Sequence, residues 1–260
     1  MSILQSFAWW SFHRPHTDPA ALLRAAADTG YAGVDLIDEA LWPLAQSFGL
    51  QIAAVNGHAS ITHGLNDPTQ HRRIERELLA NLRLAEQYAI PNLIVFSGNR
   101  HSPNRSGTDE SSGHDAAVEA LQTLAPHAEN AGVTLVLELL NSRVDHPGYQ
   151  ADRTDWGVGV VEAVASPRVK LLYDVYHMQI MEGDLIRTIG RQQDHIAHYH
   201  TAGNPGRGDL DDQQEIQYAP VLRAIRDTGF GGFVAHEFIP GGDPATALRQ
   251  TFELCQAHLG

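Results

Sequence analysis

Four segments of the sequence place an ionisable side chain at the end of an otherwise apolar run. These side chains are Glu138, Asp174, His200 and Glu237. A charged group is almost never buried alone, so a carboxylate in an apolar strand must be paired, hydrogen-bonded or bound to a metal. Three carboxylates meeting at one place would repel one another, and a cation would relieve that repulsion. Three carboxylates and one imidazole suit Mg²⁺ or Mn²⁺ better than a metal that prefers thiolates. The sequence therefore predicts a divalent metal site at these strand ends, with structural carboxylates satisfied by the protein itself as the alternative.

The elements that would position these residues alternate regularly along the chain. Short apolar runs are followed by helical patterns, including helices predicted over 39–47, 68–88 and 183–191, which is typical of parallel strands joined by helices. The predicted strands are 3–7, 33–37, 51–55, 92–96, 134–140, 169–174, 195–200 and 232–238. This pattern predicts an α/β fold, a (β/α)₈ TIM barrel forming a single domain over residues 1–260. An open doubly wound sheet is the alternative, but the chain lacks the Gly-rich phosphate loop of that fold.

Composition limits the class of partner. The formal net charge of −13 disfavours a nucleic-acid partner, because phosphate binding needs a basic face. No apolar run approaches the roughly 20 residues that span a bilayer, and the first five residues lack the basic start of a signal peptide. Cys255 is the only cysteine, which fits a reducing compartment. We expect a cytoplasmic protein that acts on a small-molecule substrate and has no membrane partner. The sequence is compatible with a homo-oligomer.

The second half of the chain resembles a known family. Segments 137–141, 170–179, 198–207 and 235–238 are similar to the hydroxypyruvate isomerase family, which lies within the xylose-isomerase-like TIM barrels together with the ketose 3-epimerases. The resemblance is strong over about 134–240, whereas the loop 56–64 departs from it. It implies that the four strand-end residues bind the metal and that Glu138 and Glu237 are also the catalytic acid/base pair. It further implies that His177 and Arg207 contact the substrate.

The chemistry implied by the resemblance is an aldose–ketose interconversion. A proton leaves the carbon beside a carbonyl and returns to the neighbouring carbon, and a divalent cation with a nearby carboxylate assists both steps. Hydroxypyruvate carries a carboxylate, which an arginine fork binds well. Four arginines follow strands and are eligible, of which we favour the last: Arg14, Arg100, Arg143 and Arg207. His58, in the loop after the third strand, is a further candidate for substrate binding, with packing of that loop as the alternative.

Other functions share parts of this pattern. A ketose 3-epimerase or a 2-oxotetronate-type isomerase would use the same metal and glutamates. A dehydratase of a sugar or polyol ketone is a further alternative within the same superfamily. A repair endonuclease would need a DNA-binding face, which the acidic balance disfavours. A non-catalytic binding protein would have little use for carboxylates at strand ends.

Overall fold

A computed structural model describes residues 2–100 and 110–260, and it confirms the predicted barrel. The strands of this part of the chain form a closed barrel in the order β1 to β8. The strands are β1 (Leu4–Ala8), β2 (Gly33–Asp35), β3 (Gln51–Asn56), β4 (Asn92–Val95), β5 (Thr134–Glu138), β6 (Val169–Asp174), β7 (Ile196–Thr201) and β8 (Phe233–His236).

Helices follow the strands along the chain. Those described are α1 (Trp9–Phe12), α2 (Pro19–Thr29), α3 (Trp42–Ser47), α4 (His71–Tyr88), α5 (Glu110–Ala131), α6 (Thr154–Val164), α7 (Val175–Met181), α8 (Leu185–Gln192), α9 (Tyr218–Asp227) and α10 (Pro244–Leu259). Helix α2 shows why such a segment is helical: Asp18 caps its first turn, Pro19 opens it, and Gly30 ends it at φ 113°, a left-handed conformation that glycine adopts without strain. No helix in the described ranges is both long and apolar enough to cross a membrane.

Contacts divide the chain into two compact units, of which the first contains the residues up to Val55 together with Asp184–Gln193 and His198–Gly260. Its strands pair in parallel, β7 with β8, β8 with β1, β1 with β2 and β2 with β3. His200 pairs in register with Ala235 on the neighbouring strand. The carboxyl ends of these parallel strands therefore carry side chains that sequence analysis identified as candidate metal ligands.

The second unit contains the described residues of Asn56–Gly183 together with Asp194–Ala197. Its strands β4, β5 and β6 are also parallel. Tyr149 fastens the ends of two of them, because its fully buried hydroxyl donates to the Glu138 carbonyl at 2.9 Å and accepts the Ser97 N–H at 3.0 Å. Burial raises the pKa of this phenol far above its ordinary value, so Tyr149 stays neutral.

The structure differs from the sequence prediction at several element ends. Strand β5 ends at Glu138 and β8 at His236, so Glu237 follows its strand instead of lying within it. Segment 39–47 is a 3₁₀ turn followed by α3. Helices α1 and α7 were not predicted. Both are too short to show a helical period, and both are apolar enough to look like a continuation of the strand that precedes them.

The Tyr149 brace predicts a measurable contribution to stability. Tyr149→Phe leaves a buried N–H and a buried carbonyl without their partner, so the free energy of unfolding should fall by about 1–3 kcal/mol. Urea denaturation monitored by circular dichroism measures this value. Tyr31→Phe is the matched control, because its hydroxyl serves only the Leu248 carbonyl at 3.0 Å and its loss should cost less. Equal losses in the two variants would contradict the bracing role.

Candidate metal centre

Glu138 and Asp174 are the last residues of β5 and β6 in the second unit, and both side chains are buried. Asp174 is also the N-cap of α7, where its carboxylate accepts the backbone N–H of His177 at 3.1 Å. The amino end of a helix carries partial positive charge, which favours an ionised carboxylate at this place. One residue therefore ends a strand, begins a helix and presents a carboxylate oxygen.

His177 is held in a defined orientation by Asn141. The Nδ1 atom of His177 accepts the backbone N–H of Asn141 at 3.1 Å and lies 2.6 Å from its Nδ2. Asn141 is in turn fixed, because its Oδ1 accepts the N–H groups of Val144 and Asp145 at 2.9 Å each. Since Nδ1 is an acceptor, Nε2 carries the proton of the neutral imidazole. That nitrogen lies 3.6 Å from Asp174 Oδ2, so His177 directs a hydrogen-bond donor toward the candidate ligand.

His200 and Glu237 belong to the first unit. His200 is fully buried within β7, and its Nδ1 lies 2.9 Å from Glu237 Oε2. The other carboxylate oxygen of Glu237, Oε1, accepts the indole N–H of Trp10 at 2.7 Å. Trp10 lies on α1 and is 46% exposed, so one edge of this indole contacts the candidate ligand while much of its surface faces solvent.

Arg207 is an ion-pair partner of Glu237. Its Nη2 contacts Glu237 Oε2, and its Nε donates to the Glu237 carbonyl at 3.1 Å. The guanidinium carbon also lies 5.5 Å from the ring centroid of Trp10, within the usual range of a cation–π contact. Arg207 has a positive φ of 54°, which is uncommon for a residue with a side chain.

These donors decide the charge of Glu237. Burial alone would raise the pKa of this carboxyl, but Arg207, His200 and the Trp10 N–H together lower it well below its ordinary value. Glu237 is therefore ionised at neutral pH.

A second buried carboxylate in the first unit, Asp35 on β2, lies beside the same histidine. Its Oδ1 accepts the Ser6 hydroxyl at 2.6 Å, and its Oδ2 lies 2.7 Å from His198 Nε2 and 3.5 Å from His200 Nε2. Burial raises the pKa of Asp35, but the charge and hydrogen bonds of the two histidines outweigh burial and hold it at about 2. Asp35 is ionised at neutral pH as well.

The four strand-end residues that the sequence singled out each offer a ligand atom to one place. One atom from each of Glu138, Asp174, His200 and Glu237 lies within 4.8 Å of the others, and all four side chains are buried. Carboxylate oxygens and an imidazole nitrogen are the donors that a hard or borderline divalent cation takes. The donor set therefore fits a divalent metal ion.

His58, which the sequence predicted as a further substrate contact, lies in the loop after β3. His58 is buried after β3, and its Nε2 accepts the N–H of Phe96, the residue that follows β4, at 3.0 Å. Its Nδ1 is buried and has no hydrogen-bond partner among the residues described. His63, in the same loop, is exposed. The contact with Phe96 fits the packing alternative for His58, whose Nδ1 remains a buried donor.

The remaining candidate arginines have partners of their own. Arg14 donates to the carbonyls of Ser11 and Pro240, both at 3.1 Å. Arg100 forms an ion pair with Asp152 at 2.7 Å. Arg143 donates to the carbonyl of Ile180 at 2.7 Å. Arg207 is the one of the four with a described contact to a candidate metal ligand.

Sequence analysis did not identify Asn141 as an orienting residue or Trp10 as a partner of Glu237. Asn141 stands directly after the strand-end segment that contains Glu138, and a polar residue at such a position is a signal that could have found it. Trp10 has no comparable signal, because its role depends on a contact with a residue 227 positions away.

Comparison with known proteins gives a family and several relatives. Residues 23–258 match the model of a family described as "Xylose isomerase-like TIM barrel". The chain is 25% identical to a human protein named "Putative hydroxypyruvate isomerase" over 88% of this chain and 86% of that one. It is 32% identical to the hydroxypyruvate isomerase of Escherichia coli K12 over 52% of each chain. It is 35% identical to the 2-oxo-tetronate isomerase of Cupriavidus necator over 50% of each chain.

Solved structures share the fold. A family 2 AP endonuclease from Brucella melitensis superposes with a TM-score of 0.80 at 24% identity, covering 96% of this chain and 98% of that chain. A D-psicose 3-epimerase from Clostridium cellulolyticum H10 superposes with a TM-score of 0.74 at 19% identity, covering 100% and 97%. At these identities the likeness establishes the barrel and not the reaction.

The buried imidazole of His58 predicts a dependence of stability on pH. Burial, with Arg73 adding to it, lowers the pKa of His58 from 6.5 to about 4. Between these values the unfolded chain binds a proton that the folded chain does not. The free energy of unfolding should therefore fall as the pH drops from 6.5 to about 4, with His58 contributing up to about 3 kcal/mol.

The matched variant is His58→Gln, which keeps an acceptor for the Phe96 N–H and removes the titration. Urea denaturation at a series of pH values should give a shallower slope for this variant than for the parent chain. His63→Gln, at an exposed position of the same loop, should keep the parent slope. Parallel slopes for the parent and His58→Gln would refute this assignment.

Proposed function

The chain belongs to the xylose isomerase-like TIM barrel family, and on that premise we propose that it interconverts hydroxypyruvate and tartronate semialdehyde, with Glu138 and Glu237 moving the proton. It is an isomerase, as are relatives whose reaction is named. One observation carries the proposal: two glutamates, an aspartate and a histidine offer ligand atoms within 4.8 Å of one another.

The reaction moves one proton between neighbouring carbons. In hydroxypyruvate, HOCH₂–CO–COO⁻, a proton leaves the CH₂ carbon, and the electron pair forms a carbon–carbon double bond while the carbonyl oxygen becomes an enolate. The double bond then takes a proton at the former carbonyl carbon, while the hydroxyl of the original CH₂OH gives its proton to the enolate oxygen, so that the first becomes the aldehyde and the second becomes a hydroxyl. The product is OHC–CHOH–COO⁻, with the same atoms and electrons.

The four buried residues would hold a divalent cation, for which Mg²⁺ or Mn²⁺ fits the donor chemistry. Such a cation supplies Lewis-acid stabilisation of the negative charge that develops on the two substrate oxygens. Ordering of the substrate against fixed protein groups further lowers the barrier, because the reacting carbon and the base meet at a defined distance.

The chain's own carboxylates carry the proton. Glu138 ends β5 and Glu237 follows β8, so one would remove the proton and the other would return a proton to the neighbouring carbon. The His177 imidazole, with Nδ1 held by Asn141, would donate from Nε2 to a substrate oxygen. Burial of the carboxylates excludes water, which strengthens each of these interactions.

Arg207 is the residue that would recognise the substrate carboxylate. Its guanidinium already contacts the Glu237 carboxylate and lies over the Trp10 ring. Its positive charge beside a candidate catalytic carboxylate would attract the carboxylate of the substrate. The His58 imidazole, whose Nδ1 is a buried donor, would add a contact from the loop after β3.

A second candidate is the isomerisation of a four-carbon 2-oxo acid. The 35% identity to a 2-oxo-tetronate isomerase supports it, and the same proton transfer and carboxylate recognition apply. The two candidates differ in the length of the substrate beyond the reacting carbons.

One experiment separates these reactions. The Mn²⁺- or Mg²⁺-loaded protein is incubated in D₂O with hydroxypyruvate, a 2-oxotetronate or a ketohexose in parallel tubes, and ¹H NMR follows loss of the proton at each carbon. We expect isomerisation with deuterium incorporation for the three-carbon acid. Turnover of the four-carbon acid alone selects the second candidate. Exchange at C3 of the ketose alone selects a 3-epimerase, and release of water with an enone absorbance selects a dehydratase.

The proton-transfer roles predict the effect of neutral replacements. Glu138→Gln and Glu237→Gln should each lower kcat by about 10²- to 10⁴-fold at saturating metal, because an amide cannot exchange the proton. Deuterium exchange into the substrate should fall in parallel, while the circular dichroism spectrum stays that of the parent. Glu253→Gln, at an exposed position of α10, is the control with unchanged kcat. Near-normal turnover of both active-site variants would exclude the scheme.

The role of Arg207 predicts a change in substrate preference. Dihydroxyacetone is the neutral analogue in which CH₂OH replaces the carboxylate. Arg207→Lys should lower kcat/KM for hydroxypyruvate about 10- to 100-fold relative to that for dihydroxyacetone, because a fork is lost but a charge remains. The ratio cancels any common effect on Glu237. Arg14→Lys, whose guanidinium serves backbone carbonyls, should keep the parent ratio, and an unchanged ratio for Arg207→Lys would remove Arg207 from substrate recognition.

A further inference from the structure

Asp35 is a buried carboxylate that the proton-transfer scheme does not use. It lies at the end of β2 with 0% of its surface exposed. A carboxylate in the interior is costly unless donors surround it. Three groups approach it, and all belong to its own unit: the Ser6 hydroxyl, the His198 imidazole and the His200 imidazole.

Two of these contacts fix the carboxylate. Ser6 Oγ donates to Oδ1 at 2.6 Å, and His198 Nε2 lies 2.7 Å from Oδ2. Since each oxygen has its own partner, Ser6 on β1 and His198 on β7, the plane of the carboxylate cannot rotate without breaking a buried hydrogen bond. Asp35 is therefore a rigid acceptor.

The geometry does not favour a second metal at Asp35. Asp35, His198 and His200 can be grouped as potential ligands. The 2.7 Å between Asp35 Oδ2 and His198 Nε2, however, is the length of a charge-assisted N–H···O hydrogen bond, so a proton already lies between these atoms. The Asp35 carboxylate therefore accepts the N–H of His198.

The third contact reaches a candidate metal ligand. His200 Nε2 lies 3.5 Å from Asp35 Oδ2, and His200 Nδ1 lies 2.9 Å from Glu237 Oε2. The ring thus has one nitrogen toward Asp35 and the other toward the ligand set. The His198 and His200 rings are 5.2 Å apart and cross at 74°, so His198 limits rotation of His200 away from this orientation.

We propose that Asp35 is a positioning residue for His200: when a divalent cation takes the place of the Nδ1 proton that faces Glu237, Asp35 favours the tautomer with the proton on Nε2 and with Nδ1 bound to the cation. A histidine ligand commonly donates its second ring N–H to a carboxylate, which fixes the tautomer and raises the basicity of the coordinating nitrogen. This inference rests on the cation site of the proposed function but not on the reaction. Asp35 touches no reacting atom and acts on cation affinity through His200.

The test measures cation binding without substrate. Mn²⁺ affinity is determined by competition with a chromophoric chelator, and Co²⁺ is used for its visible spectrum. Asp35→Asn keeps the shape of the side chain and removes its charge. Its affinity should fall about 10- to 100-fold, and the Co²⁺ bands should shift because the geometry of one ligand changes.

Two further variants separate positioning from general destabilisation. Tyr31→Phe loses a buried hydrogen bond in the same unit without contacting His200, and its affinity and Co²⁺ spectrum should match the parent. Ser6→Ala removes one donor to Asp35 only, and it should show a smaller loss of affinity than Asp35→Asn. It replaces Asp35→Asn as the test if that variant does not fold.

A double-mutant cycle identifies the route. If Asp35 acts through His200, Asp35→Asn should have no further effect on Mn²⁺ affinity in a His200→Asn background. Additive losses, or parent affinity in a folded Asp35→Asn variant, would overturn the inference while leaving the proposed function standing. Absence of cation binding by the parent chain would instead overturn the cation site itself and the positioning role with it.

Discussion

Removing a carboxylate from water costs several kcal/mol unless positive charge or hydrogen-bond donors replace the lost hydration. Glu138, Asp174 and Glu237 are buried at strand ends, and Asp35 lies deeper in its unit without any exposure. Hydrogen-bond donors and cationic side chains near these carboxylates replace part of the hydration that burial removes. The barrel concentrates them because parallel strands finish at the same end, which places each carboxylate where a cation can be shared.

The compensation differs from one carboxylate to the next. Glu237 receives an indole N–H and a guanidinium, with an imidazole at 2.9 Å. Asp174 accepts a backbone N–H at a helix start. Asp35 is held by a hydroxyl and an imidazole. These carboxylates therefore have different electrostatic surroundings, and such differences are how a protein can keep one carboxylate ionised while another exchanges a proton.

The periodic pattern was sufficient to predict the barrel and the four candidate ligands, because strand ends are visible as polar residues that interrupt apolar runs. It could not predict α1 or α7, whose few apolar residues have no measurable period. The contact of Trp10 with Glu237 depends on how distant segments pack, and no local signal encodes it. Asn141, in contrast, could have been found as a polar residue directly after the segment with Glu138. The partner of Arg207 was likewise beyond prediction, because Glu237 follows 30 positions later and meets it only in the folded chain.

Asp174 is both a candidate metal ligand and the N-cap of α7, which restricts how the metal preference of this barrel could be changed. Its carboxylate begins α7 and faces the ligand set at once. Exchange for histidine or cysteine, the usual route to a softer metal, would remove the cap and let the first turn of α7 fray, which would displace His177 with it. A change of metal preference at this position would therefore move the His177 side chain as well. Mutational routes that leave His177 in place must begin at Glu138, His200 or Glu237, where the candidate ligand and the helix start are different residues.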